Sequence, residues 1–318
     1  MKRFNKFLMV PLIAVFVLGL TAPAMAATTT VNLGTAGNFA VLAGTGITNT
    51  GATTIAGDVG SSAIDTQTGF ETVTFSSGAN HTIANPNDAT TQGAKLDLTA
   101  AYIDAAGRTG AIPIVGGDLG GRTLTAGVYK DNNDPDALAL TGTLTLDAQG
   151  DTNAVWIFQS GSTLTTASGS RVVLINGAQS CNVFWQVTSS ATLGTTTAFV
   201  GNVLALISIS LTDGATVNGR LLAQNGAVTL IHNTVTAATC TTPSAEAAEA
   251  AAAYTAKTAA AAEAAASTQA AALAATKLPS TGVAPSQNSA SRNIAMLAGI
   301  FAVSTLLIAI RRKKRALK

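Results

Sequence analysis

Few side chains in this sequence are equipped for chemistry, and their spacing decides what each can do. His81 and His232 stand far apart, and neither has a cysteine or glutamate at ligand spacing, so the sequence predicts no metal site. DNNDPD (131–136) gathers several side-chain oxygens, as a calcium loop would, but it lacks the glycine and distal glutamate of an EF-hand and reads as a solvated turn. GGDLGG (116–121) has the glycines of a phosphate loop without the Lys-Ser/Thr that follows one, and also reads as a turn. The remaining carboxylates are scattered rather than clustered. Acid–base chemistry on an acidic polysaccharide, which some β-helices perform, needs them together, so the sequence predicts neither an enzyme nor a cofactor.

The two ends follow a different physics. Lys2, Arg3 and Lys6 precede an apolar run at 7–20, and Ala24-Met25-Ala26 offers a small-residue cleavage pattern, so residues 1–26 read as a secretory signal peptide. Near the other end, LPSTG (278–282) precedes a polar spacer, a 17-residue apolar run at 294–310 and the basic cluster Arg311, Arg312, Lys313, Lys314 and Arg315. That run is just long enough to span a bilayer as a transmembrane helix, with the basic tail inside. This segment, 278–318, resembles the cell-wall sorting signal of Gram-positive surface proteins. The resemblance implies that a sortase reads Leu278, Pro279, Ser280, Thr281 and Gly282, cuts between Thr281 and Gly282, and joins Thr281 to peptidoglycan. The membrane would hold the precursor, and an uncleaved single-span anchor is the other reading of the same tail.

Without those ends, residues 27–281 keep eight Lys and Arg against sixteen acids, a net charge near −8. A basic nucleic-acid footprint is absent. In an exported chain, Cys181 and Cys240 read as one disulfide, with two buried thiols as the alternative. The bridge would close a loop of about 60 residues and stabilise by roughly 4 kcal/mol through loop-closure entropy.

Residues 243–277 are Ala-rich with scattered Glu and Lys and no alternation that could build a core, so they read as a partly helical spacer. Residues 27–242 are left as one folded, monomeric domain. Within it, AVWIFQSGSTL, NVFWQVTSSATL, GNVLALISISL and GRLLAQNGAVTL end at Leu164, Leu193, Leu211 and Leu230. The later spacings are 18 and 19 residues and the first is 29. A period near 18 is too short for a helical repeat and suits a β-solenoid coil of three short strands.

The first strand of each coil (VWIF 155–158, VFW 183–185, VLAL 203–206, LLA 221–223) is apolar on both faces and must be covered outside. Residues 88–106 place Ala94, Leu98, Ala101 and Tyr102 at helical spacing between an Asn or Asp start and Gly107, which predicts one long helix packed alongside. In the second strand the four leucines point inward, so Thr163, Thr192, Ser210 and Thr229 point outward, with Gly161, Ser190, Ser208 and Ala227 two positions earlier. In the third, Phe199, Val217 and Val235 point inward and Ala198, Thr216 and Thr234 outward. GATTIAGDV (51–59) matches GATVNGRLL (214–222) apart from one extra Thr, which aligns Thr54 with Thr216 and Thr48 with Thr229.

These residues, with NFAVLAGTGITNTGATTIAGDVG (38–60) and GVYK (127–130), resemble in order the DUF3494 ice-binding-protein-like domain over 30–240. The resemblance implies a mainly β fold: a discontinuous right-handed β-solenoid of triangular section, one helix alongside, and the N-terminal coil stacked on the C-terminal one. It also implies adsorption to ice through a flat face, sometimes carrying T-(A/G)-x-(T/N) motifs. TGAT (50–53) fits that motif, which puts Thr50 and Thr53 beside the Thr48, Thr163, Thr192, Ser210 and Thr229 ladder; TTTA (195–198), DGAT (213–216) and IHNT (231–234) depart from it. Outward residues recur about 4.8 Å apart between coils and about 7 Å along a strand, where threonine hydroxyls and methyls can order water. Two functions stay open, an ice-binding surface protein and a wall-anchored adhesin or structural protein without ice activity.

Overall fold

The computed structural model describes residues 28–64, 66–81, 88–131 and 136–241. The leader, the Ala-rich stretch, LPSTG, the apolar run at 294–310 and residues 132–135 of DNNDPD lie outside the described residues. Among the described residues no helix is long and apolar enough to cross a membrane.

The chain divides into two units. The smaller has Asp147–Thr152, Leu174–Ala178 and Thr241 as its described residues, the first two segments being turns joined by Ala148 N to Ile175 O (3.3 Å), Gly150 N to Asn176 O (2.9 Å) and Asn176 Nδ2 to Asp147 Oδ1 (2.8 Å).

The larger unit, Met1–Leu146, Asn153–Val173 and Gln179–Cys240, is mainly β, with parallel strands stacked coil on coil. One of its sheets has seven strands in the spatial order Leu138–Leu140, Leu164–Thr166, Ala191–Leu193, Ile209–Leu211, Val228–Ile231, Ile47–Thr50, Gln67–Thr68. The N-terminal coil therefore stacks on the C-terminal one. Thr53–Ala56 likewise lies beside Thr234–Thr236, and Phe39–Ala43 beside Thr216–Ala223. Leu164, Leu193, Leu211 and Leu230 are buried as their spacing predicts, and so are Phe199, Val217 and Val235. Phe158 and Trp185 stack from one coil to the next with ring centroids 4.1 Å apart, and Phe199 lies tilted against Trp185 at 4.9 Å. Trp185 keeps its indole N–H satisfied on Val200 O (2.9 Å), which permits so large a ring to be buried.

The expected three short strands per coil are two in part of the stack. Ala198–Ala205 and Thr216–Ala223 each run without a break from the third-strand positions into the first-strand positions of the next coil. The apolar first-strand positions are covered as expected. Helix α1 (Ala89–Gly107) buries Thr91 and places Ala94, Leu98, Ala101 and Ala105 in a cluster with Leu42, Ile157, Phe184, Leu204 and Leu222, and Tyr102 packs at its edge. Asp88 caps the helix by accepting from Thr90 N (3.3 Å) and Thr91 N (3.1 Å). Its other end is tied down by Gln159 Nε2, which donates to Ala105 O (2.8 Å), Ala106 O (3.2 Å) and Arg108 O (2.9 Å). Cys181 and Cys240 form the bridge, with Cα atoms 5.4 Å apart, and fasten the 3-10 turn Ser180–Asn182 to the last residues of the unit.

Lys95 on α1 reaches back to the sheet, donating from Nζ to Ala223 O (2.6 Å) and Gln224 O (2.5 Å). Burial pushes its pKa from 10.5 down to about 8. Since the folded value is the lower one, the unfolded chain holds more protons between those two pH values, and stability rises with pH across that window. Below about pH 8 both states are protonated and the desolvation cost is present in full. The melting temperature is expected to climb through the window, and to climb less in Lys95→Met; equal slopes would remove Lys95 as the cause.

Candidate functional site

Strand alternation aims every second residue of the seven-stranded sheet outward, and the parallel register places those residues side by side. Thr165 pairs with Thr192, Thr192 with Ser210, Ser210 with Thr229, Thr229 with Thr48, and Thr48 with Thr68. All six face outward, with Thr165, Thr192, Thr48 and Thr68 exposed and Ser210 and Thr229 half-buried between neighbours. A second outward row lies one residue pair earlier. Its backbone carbonyls at Thr163, Ser190, Ser208, Ala227, Gly46 and Thr66 each accept from the inward residue of the adjoining coil. Neither row contains a charged residue. The surface is thus a grid of hydroxyls and small groups repeating at about 4.8 Å between coils.

Three expected positions move: Thr163, Gly161, which the same slip takes out of the Ser190 and Ser208 row, and Thr53. Thr163 falls in the Ser190 and Ser208 row, because Leu164 pairs with Ala191 rather than with Leu193, and the partner of Thr192 is Thr165. A slip of two residues keeps every side chain on its own face, so the inward–outward pattern could not detect it inside the 29-residue interval. Thr53 turns inward: it is buried, and its Oγ1 accepts from Asn233 N at 3.1 Å. The extra residue in the first coil supplies the reason, since Thr50 pairs with Ile231 while Thr54 pairs with Thr234.

Thr216, Thr234 and Thr54 do form an exposed row, continued by Ala198 on one side and Thr74 on the other. Charge bounds this face. Arg171 pairs with Ala198 at the end of the row, and the exposed His232 Nδ1 lies 2.7 Å from Asp213 Oδ1 at its margin. Thr66, Thr68, Thr74 and Thr165 escaped the repeat-based alignment. The 20-residue step from Thr48 to Thr68 was the available signal, close to the 18 and 19 of the later coils.

The titratable groups serve the scaffold. His81 sits between two carboxylates, Nε2 3.1 Å from Asp58 Oδ2 and Nδ1 3.1 Å from Asp88 Oδ2, at the start of α1. Burial opposes the Asp88 carboxylate, but hydrogen bonds from Thr91 and Thr90 and the neighbouring His81 hold its pKa below the ordinary value. GGDLGG is a turn in which Asp118 Oδ1 accepts from Gly120 N (2.9 Å) and Thr141 N (3.0 Å). In the DNNDPD segment, Asp136 pairs with Lys130 at 3.1 Å. Among the described residues no group of three or more His, Cys, Asp or Glu could hold a metal ion.

A hydroxyl grid carried by stacked parallel strands now meets an independent observation: the family model described as ice-binding-like matches residues 41–236. The chain belongs to the ice-binding-like family. Its relatives include an ice-binding protein of Nostoc sp. (strain HG1), 48% identical over 216 residues, 68% of this chain and 77% of that one. An ice-binding protein of Flavobacterium frigoris (strain PS1) is 40% identical over 220 residues, 65% of this chain and 76% of that one. Among solved structures, the crystal structure of an ice-binding protein from an Antarctic biological consortium superposes with a TM-score of 0.62 at 43% identity, covering 72% of this chain and 96% of that one. At these identities the likeness extends to the family as well as to the fold, and the ice-binding-like match takes in all of the six-residue row.

Proposed function

We propose that the protein adsorbs to ice through the seven-stranded sheet, using Thr165, Thr192, Ser210, Thr229, Thr48 and Thr68 with Thr163, Ser190 and Ser208 beside them, on a discontinuous right-handed solenoid of triangular section. The observation that carries the reading is the unbroken register of six outward hydroxyls in a chain whose relatives are named ice-binding proteins. Each hydroxyl can hold one ordered water and each threonine methyl restricts its neighbours, while stiff χ1 rotamers keep the array in place. A charge would impose its own hydration, and these rows have none. The Thr54, Thr216 and Thr234 face, bounded by Arg171, Asp213 and His232, is the lesser candidate. The test is incorporation of the purified protein into a slowly grown ice ball; exclusion of the folded protein overturns the reading and leaves the adhesin.

The site is carried outside the cell in this proposal, exported by residues 1–26 and joined to peptidoglycan at Thr281, which would hold cells on ice or shape ice around them. The order LPSTG, apolar run, basic cluster supports it. Release of the protein from cell walls by a muramidase is the expected result, and recovery only with detergent-solubilised membranes would replace sorting with a membrane anchor.

A further inference from the structure

Between the outward-facing grid and the third-strand face the coils turn a corner, and the inner side of that corner is polar except in the coil of Ser210, where Ala215 is buried. Thr166, Ser170, Thr197, Asn233 and Thr53 are all buried there. Thr166 Oγ1 accepts from Gly194 N at 2.8 Å and lies 2.9 Å from Thr197 Oγ1. Thr197 Oγ1 donates to Ala167 O at 3.1 Å, and Ser170 Oγ donates to the same carbonyl at 2.7 Å. Further along the stack, Asn233 Nδ2 donates to Thr212 O (2.9 Å) and Ala215 O (3.1 Å), and Asn233 Oδ1 accepts from Ile231 N (2.5 Å).

Several of these bonds cross from one coil to the next. Thr166 belongs to the coil of Thr165 and binds the turn after Thr192; Thr197 belongs to the coil of Thr192 and binds the turn after Thr165. The crossed pair fixes the spacing of the two turns that follow the first two hydroxyls of the row. Asn233 does the same between the coils of Ser210 and Thr229. An apolar corner would leave Gly194 N without its partner and would take the side-chain donors from Ala167 O, Thr212 O and Ala215 O, leaving the spacing to backbone bonds such as Gly169 N to Thr195 O (2.8 Å).

We propose that Thr197, together with Thr166 and Ser170, positions the outward hydroxyl row, locking adjacent corners so that the grid is flat before it meets ice; this rests on the ice reading above. A template that is already ordered loses less freedom on adsorption, and small misplacements within it are felt at every lattice contact. Thr197 does not touch the ice-facing surface, so its effect passes through the corner.

The experiment compares the wild-type protein, Thr197→Val and Thr197→Ser in one ice-ball partition, with circular dichroism at 0 °C confirming that each is folded. Valine keeps the shape and removes the hydroxyl; serine restores it. Incorporation of the valine variant is expected to fall about fivefold, the weight of one net hydrogen bond, and serine to recover the wild-type level. A purely structural Thr197 would lower the melting temperature of the valine variant yet leave its incorporation at 0 °C equal to wild type, and that result overturns the proposal. Exclusion of the wild type itself would instead overturn the ice reading beneath it. Should the valine variant be unfolded at 0 °C, Ser170→Ala decides: reduced incorporation supports the proposal and wild-type incorporation overturns it.

Discussion

Thr192→Tyr is expected to leave the protein folded and to exclude it from growing ice. Thr192 is exposed between Thr165 and Ser210, near one end of the row but with hydroxyl neighbours on both sides. A tyrosine there stands above a surface of threonine, serine, alanine and glycine and holds several coils away from the ice at once. Because adsorption is the sum of many small contacts, separating a few of them from the surface is expected to reduce incorporation at least about tenfold, equivalent to about 1.4 kcal/mol. Stability should change by no more than about 0.5 kcal/mol, since the site is exposed and the strand tolerates an aromatic residue. Thr216→Tyr supplies the contrast on the third-strand face and is expected to enter ice as the parent does. If Thr216→Tyr is excluded and Thr192→Tyr is not, the site moves to the Thr54, Thr216 and Thr234 face.

What made this face legible was repetition. A strand repeats its geometry every two residues and a coil every 18 or 19, so Leu193, Leu211 and Leu230 predicted which side faces out for the strand residues beside them. The same argument found α1 from the coverage that two-sided apolar strands require, and Asp88 and Gly107 stand at its ends. Register was harder. Thr163 and Thr165 share a face, and only the pairing of Leu164 with Ala191 decides which of them extends the Thr192 row. Pattern carries parity, whereas register across an interval with an insertion depends on three-dimensional packing.

The inner corner was not legible for a different reason. Thr53, Thr166, Thr197 and Asn233 are the residue types that ordinarily mark exposed turns, and nothing local distinguishes a hydroxyl turned inward from one turned out. Their burial follows from the stack: once coils are 4.8 Å apart or so, turn amides and carbonyls inside the corner have no water and need partners from the neighbouring coil. TGAT therefore contains two kinds of threonine, Thr50 exposed and Thr53 buried.

The continuous strands through the bend lead to the second large effect. Gly219 in Thr216–Ala223 pairs with Gly201 in Ala198–Ala205, where each strand leaves the third-strand face and passes beneath α1. Gly201 takes a φ of +111°, which favours glycine, and a Cβ on Gly219 would sit 1.8 Å from Gly201 O and 2.5 Å from its carbonyl carbon. No side chain can rotate away to relieve that contact; backbone has to move. The next residue, Arg220, is buried with Nε on Gly37 O (2.8 Å) and Nη1 on Asn202 Oδ1 (2.9 Å), so a shift of the strand also pulls a buried guanidinium from its acceptors. Gly219→Ala is therefore expected to destabilise by at least about 3 kcal/mol, at the upper end for overpacking. The cost at Gly219 is the clash alone. Gly142→Ala is the contrast, a left-handed residue without a clash, because Gly142 has a φ of +84° but nothing within 4 Å of its added Cβ. That variant is expected to lose only about 1–2 kcal/mol, the ordinary cost of a left-handed alanine. Chemical denaturation of both variants separates the cases, and a Gly219→Ala protein as stable as Gly142→Ala would mean that the two coils can part at the bend without disturbing the stack.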